Sequence, residues 1–185
     1  MQLKRSLARM VDRVTRRDPP VVRVLRRDAD RGQAYAQAAL GDLYRKGTLA
    51  RKNYAEAAKW YRRAAEQGDA HAQFNLGVSY TGGRGVPQDD AEAVKWYRLA
   101  ADQGDGLAQF NLGAMYSSGR GVPKDLLLAY MWFELSVARG TEAAAGSRQT
   151  IARQLSPHQV EQAEKLAREW KPGALPEISP QRRSA

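Results

Sequence analysis

The sequence predicts an all-α protein, a solenoid of stacked antiparallel helix pairs written three times in tandem. Three observations predict it. A glycine–tryptophan–glycine set recurs as Gly41, Trp60, Gly68, then Gly77, Trp96, Gly104, then Gly113, Trp132, Gly140, each member 36 residues from its counterpart. Apolar residues between these marks fall at helical rather than strand spacing. Ala, Gln, Arg and Leu dominate the chain while β-branched residues are sparse, and this composition favours helix.

Taken in order, residues 1–20 read as a basic amphipathic arm. Leu3, Leu7, Met10, Val11 and Val14 form an apolar stripe, flanked by Lys4, Arg5, Arg9, Arg13, Arg16 and Arg17. Residues 21–33 read as a half repeat that caps the array: shifted back by one period, the second-helix pattern lands on Val21, Val22, Val24, Leu25, Ala29 and Gly32, with Val24 in the tryptophan position. Full repeats follow at 34–69, 70–105 and 106–141. In the first helix of each, residues such as Ala72, Leu76 and Tyr80 stack at i, i+4 and i+8, and Gly77 beside them lets a neighbouring helix approach. In the second helix Ala93, Trp96, Ala100 and Ala101 share a face, which predicts an indole knob among small residues.

The punctuation agrees. Gly82-Gly83-Arg84-Gly85-Val86-Pro87 and Ser118-Gly119-Arg120-Gly121-Val122-Pro123 are turns ending in a helix-starting proline. Asn53 with Glu56 and Asp89 with Glu92 have helix-capping spacing, and Gly68 and Gly104 stand where helices close. Residues 142–171 read as a helical cap: one helix ends before Ser156-Pro157, and the last turns Val160, Ala163, Ala167 and Trp170 inward. Residues 172–185, with Pro172, Pro176 and Pro180, read as a flexible tail.

These residues resemble the Sel1-like repeat family, relatives of tetratricopeptide repeats with a longer turn between the helices. The likeness rests on Ala-Gln-x-x-Leu-Gly-x-x-Tyr, on Gly-x-Gly-Val-Pro-x-Asp at 83–89 and 119–125, and on Ala-x-x-Trp followed by Ala-Ala-x-x-Gly. It implies a right-handed superhelix of helix pairs and the role of an adaptor or scaffold, binding a peptide or protein on the concave face. The first repeat departs from the pattern, with Gly47-Thr48-Leu49-Ala50-Arg51-Lys52-Asn53 in place of the glycine–valine–proline turn. Its length is unchanged, which predicts the same fold with a different loop surface.

Net charge is +10, and ten Lys/Arg against four Asp/Glu place most of it in residues 1–33. An electrostatic partner, anionic membrane or nucleic acid, would therefore belong to the N-terminal arm; the alternative is a capping helix whose apolar stripe covers the first repeat. The arm has no aromatic residues to stack bases, which argues against nucleic acid. No apolar run reaches the ~20 residues that span a bilayer, and basic residues interrupt any secretory core, so the expected location is cytoplasmic.

Catalytic material is sparse. The absence of cysteine removes disulfides, thiolate metal sites and a cysteine nucleophile. The two histidines, His71 and His158, have no cluster of further ligands around them in sequence, so no metal or cofactor is expected. Asp89-Asp90 reads as helix capping rather than as an acid–base pair. The chain is thus expected to be no enzyme.

In such arrays the first helices line the concave side, and positions pointing away from the Leu–Tyr core are free for contact. These are Tyr35, Ala38, Asp42 and Arg45, then His71, Phe74, Asn75 and Val78, then Leu107, Phe110, Asn111 and Ala114. Phe74 and Phe110 share the repeat spacing, as do Asn75 and Asn111; aromatics anchor interfaces and amides pair with backbone. The sequence leaves partner identity and oligomeric state open.

Overall fold

The computed structural model describes residues 19–48 and 51–173, so the arm at 1–18 and the tail from 174 lie outside the described residues. Among those described run nine helices and no strand: α1 Pro20–Asp30, α2 Ala34–Lys46, α3 Tyr54–Glu66, α4 Ala70–Gly82, α5 Asp90–Asp102, α6 Gly106–Ser118, α7 Leu126–Ala138, α8 Glu142–Ala152 and α9 Pro157–Glu169.

Local chemistry sets their limits. The Asn53 side chain accepts the Ala55 and Glu56 N–H groups at 3.0 and 3.1 Å, and Asp89 accepts that of Glu92 at 3.0 Å. Asp69, Asp105 and Asp125 start α4, α6 and α7 by accepting from Ala72, Ala108 and Leu128 at 2.7, 2.8 and 2.9 Å. Asp69 and Asp105 directly follow Gly68 and Gly104, at φ +91° and +86°, a left-handed conformation that strains any residue with a Cβ. A Gly-Asp pair thereby closes one helix and opens the next. Ser156 forms a full capping box with Gln159 ahead of α9, and Pro157 stands in its first turn.

The divergent turn of the first repeat closes like the others. Asn53 N–H donates to the Tyr44 carbonyl at 2.9 Å, as Asp89 does to Tyr80 at 3.1 Å and Asp125 to Tyr116 at 2.9 Å. This bond needs only backbone at the right chain distance, so the turn's side chains are free to change.

The fold divides between Trp96 and Tyr97 into two compact units. The first holds α1 to α4 and the opening of α5. Val22, Ala29, Ala36 and Leu40 form a core backed by Leu25, Leu43 and Trp60. Farther along, Ala57, Ala58, Tyr61, Ala64, Ala65, Ala72 and Leu76 are at most 2% exposed.

Here the structure corrects the expected tryptophan knob. Trp60 is only half-buried, with the Arg63 guanidinium 4.7 Å above its ring, while the next residue, Tyr61, is fully buried. Gly41 is the reason, because a Cβ there would lie 2.5 Å from Tyr61 Cε1, and so its absence makes the notch for the phenol ring.

The second unit holds the rest of α5 and α6 to α9. Phe133 fills the notch at Gly113 in the same way, 2.7 Å from where a Cβ would sit. Residues 127–133 of α7 are buried without a break, because α6, α8 and α9 all pack on that helix. Trp132 is therefore wholly buried, edge-on to Trp170 at 5.5 Å between centroids. Ala163 and Ala167 of α9 turn inward as expected, with Val160 and Trp170 half-buried.

Two ties recur at the repeat period. Gln37, Gln73 and Gln109 are buried, and each donates its side-chain amide to a carbonyl of the preceding second helix: Ala29 at 3.0 Å, Ala65 at 3.1 Å and Ala101 at 3.2 Å. Arg26 donates to the Tyr44 hydroxyl at 2.9 Å, Arg62 does so to Tyr80, and Arg98 to Tyr116. The first tie explains the glutamine of the Ala-Gln motif: each carbonyl already accepts a backbone N–H, from Gly32, Gly68 and Gly104, and the buried amide adds a second bond worth about 0.5–1.5 kcal/mol.

Candidate interaction face

In the first unit, α2 and α4 carry a hydrogen-bonded polar cluster on their outward face, with Tyr61 of α3 reaching it from below. The Tyr61 hydroxyl donates to Asp42 Oδ1 at 2.6 Å and accepts from Arg45 Nε at 3.0 Å. Arg45 Nη2 lies 3.4 Å from the same carboxylate oxygen. His71 Nε2 meets the other oxygen, Oδ2, at 3.1 Å, and its ring stands edge-on to Tyr61 at 6.4 Å. Both oxygens of the Asp42 carboxylate are thus engaged.

The electrostatics follow from these contacts. Partial burial works against ionising Asp42, but the Tyr61 hydroxyl, His71 and Arg45 together outweigh it and hold its carboxyl below the ordinary range. Burial, then the bond to Asp42, pushes the Tyr61 phenol well above its usual value. Arg45 loses some hydration, yet Tyr61 and Asp42 hold it more firmly protonated. Asp42 and Arg45 are thus held as an ion pair that the neutral Tyr61 hydroxyl bridges. The cluster contains no nucleophile poised beside a base, and its surviving capacity is to donate hydrogen bonds outward.

Asp42, Arg45, His71 and Asn75 are the predicted positions that the structure brings together. Asn75 is not offered to solvent: it is 6% exposed, and its amide donates to the His71 carbonyl at 2.9 Å, tethering the first turn of α4. Ala38, also expected to be free, is 6% exposed because α2 packs between neighbours on that side. Tyr35 is 59% exposed but stands apart, its hydroxyl on Asp28 at 3.2 Å. Phe74 and Val78 are half-buried beside the cluster's helix face.

In the second unit Leu107 is 52% exposed, and Phe110, Asn111 and Ala114 are half-buried. Phe110 leans on Phe133, with centroids 5.6 Å apart and planes tilted by 51°. The basic positions Lys4, Arg5, Arg9, Arg13, Arg16 and Arg17 fall outside the described residues. Among the described residues no group of three or more His, Asp or Glu side chains could hold a metal, and no helix is long and apolar enough to cross a membrane.

Tyr61 is the member that sequence reasoning missed. Its signal was present, because Tyr97 and Phe133 keep an aromatic at that place in every repeat. The Arg26, Arg62, Arg98 series was equally visible at the same spacing.

The Sel1 repeat pattern matches residues 34–69, 70–105 and 106–141. The chain is a Sel1-repeat protein. Among solved structures it is similar to a protective antigen of uropathogenic Escherichia coli strains that displays an SLR fold, at 35% identity and TM-score 0.74, covering 79% of this chain and 31% of that one. A Sel1 repeat protein from Oxalobacter formigenes matches at 35% identity and TM-score 0.65, over 74% of this chain and 58% of that one. The chain therefore spans under two thirds of either relative. Cysteine-rich protein B of Helicobacter pylori shares the fold at 23% identity and TM-score 0.54, with 68% of this chain and 96% of that one covered. No curated protein matches the sequence. Sel1-repeat proteins act in general as protein-interaction modules and are typically non-catalytic scaffolds.

Proposed function

We propose that this Sel1-repeat protein binds a partner protein through a segment laid on its first-helix face, the side anticipated as concave. The observation that carries the reading is the polar cluster on α2 and α4, because the repeat does not require it. At the places of Asp42 the later repeats have Val78 and Ala114, at those of Arg45 they have Thr81 and Ser117, and at that of His71 the other two repeats have Tyr35 and Leu107. Side chains that the other repeats do without, fixed by hydrogen bonds and 39% and 55% exposed at Arg45 and His71, suit recognition. Arg45 turns two donors inward and keeps others for a partner's carbonyl or carboxylate oxygens, while Phe74 and Val78 supply apolar contact nearby.

Site-specific photo-crosslinking tests this. A crosslinker at His71 or Phe74 should give one and the same protein adduct, and one at Lys59 of α3 should give none. Equal labelling from Lys59, or different adducts at 71 and 74, would remove the assignment to this face.

A further inference from the structure

The half-repeat helix α1 carries more positive charge than its place in the array needs. Arg23, Arg26, Arg27 and Arg31 line an open groove of about 510 Å³, with Asp30 its one acidic wall among the described residues. Comparison with the equivalent helices separates structural from surplus charge. Arg26 has a framework role, since it and its counterparts Arg62 and Arg98 bond the tyrosines of the following helices. Arg23 corresponds to Lys59 and Lys95, and each of those lysines pairs with a glutamate three residues earlier, Glu56 or Glu92. In α1 that earlier position is Pro20, so the intrahelical partner is gone.

Arg31 stands where the next two second helices are followed by Gln67 and Gln103 and the last by Arg139. Arg27 and Arg31 both depend on Asp28, at 3.4 and 3.9 Å, and that carboxylate also accepts from Tyr35. Basic residues at a helix C-terminus favour the helix dipole, but the glutamine helices show that the fold does without Arg31. Val21 and Val24, 51% and 47% exposed, lie on the same helix and add apolar surface.

We infer that the α1 groove is a docking site for an acidic segment of a partner protein. Charge complementarity selects that occupant. The chain's own preceding segment is unsuited to the groove, because Lys4, Arg5, Arg9, Arg13, Arg16 and Arg17 would repel it. The exposed valines favour a polypeptide, with apolar side chains among its acidic ones, over a purely phosphate-bearing polymer.

Fluorescence anisotropy of the full chain with a labelled poly-glutamate peptide tests the site, with phosphatidylserine vesicles and single-stranded DNA as competing probes. The peptide should bind, more weakly as salt rises. Arg23→Gln/Arg27→Gln/Arg31→Gln should weaken it by about tenfold or more. Neutralising Lys4, Arg5, Arg9, Arg13, Arg16 and Arg17 to Gln should cost less than about threefold. Should the triple variant lose its helical circular dichroism, Arg23→Gln/Arg31→Gln replaces it, with an expected loss of about threefold. The inference is overturned if peptide binding survives the α1 changes. It is overturned equally if the arm variant alone abolishes binding, or if vesicles or DNA bind through α1 more tightly than the peptide.

Discussion

Replacing Gly41 by alanine should destabilise the protein, although the same change in most helix interiors stabilises it. Exchanging a helical glycine for alanine gains about 1 kcal/mol of propensity. At Gly41 the new Cβ would stand 2.5 Å from Tyr61 Cε1 and 2.6 Å from Cδ1. The ring has nowhere to go: Tyr61 is fully buried, and its hydroxyl is held by Asp42 at 2.6 Å and Arg45 at 3.0 Å. Overpacking of this kind costs about 1–3 kcal/mol. The net expectation is a loss of about 1–2 kcal/mol, near the upper end because the ring is anchored. Gly146 of α8 is the matched control, since a Cβ there meets nothing within 4 Å. Gly146→Ala should gain about 0.5–1 kcal/mol. Urea unfolding followed by circular dichroism reads both. Equal or greater stability in Gly41→Ala would refute the reasoning, because it would show that Tyr61 gives way at little cost. A Gly41→Ala/Tyr61→Leu double variant less harmed than the two singles together would locate the strain at this contact.

Three further outcomes are expected. Asp42 has a depressed folded-state pKa, so its contribution is complete above the ordinary carboxylate value of about 4 and is lost as pH falls through the lower folded value. Asp42→Asn should accordingly flatten the acid side of the stability–pH curve and leave its neutral-to-alkaline side parallel to that of the native protein. Gln73→Leu removes the 3.1 Å bond to the Ala65 carbonyl, which keeps its bond from the Gly68 N–H, and should cost about 0.5–1.5 kcal/mol in urea unfolding, whereas Gln103→Leu, on an exposed site, should cost little. Ser156→Ala breaks the capping box of α9 and should cost about 1 kcal/mol, with hydrogen exchange rising first in that helix.

The helix pairs were legible because their determinants are local and repeated. Glycine closures, capping side chains and Leu–Tyr stripes act within a few residues and were written three times, so each copy vouched for the others. Trp132 is the buried knob that the pattern predicts, while Trp60 was misread for a physical reason. Trp60 and Tyr61 are adjacent aromatics one helical step apart, and which of them points inward depends on the notch at Gly41 in another helix. Asn75 was misplaced similarly. Its position on the helix predicts exposure, but its short amide folds back onto the carbonyl one turn earlier. Asp42, Arg45 and His71 were legible as outward residues, while their union through Tyr61 was not, because it joins three helices across 19 and 29 residues of chain.

The most direct test of the account is the affinity of the crosslinked partner, once purified, for the native chain and for Arg45→Gln/His71→Ala. Both substituted side chains are partly exposed and neither fills the core, so the variant should keep its fold. The account predicts binding weakened about tenfold or more in a variant that still unfolds cooperatively, at somewhat lower urea because Asp42 and Tyr61 lose these partners. Unchanged affinity in a folded variant would contradict it and would move the recognition surface off the α2–α4 face.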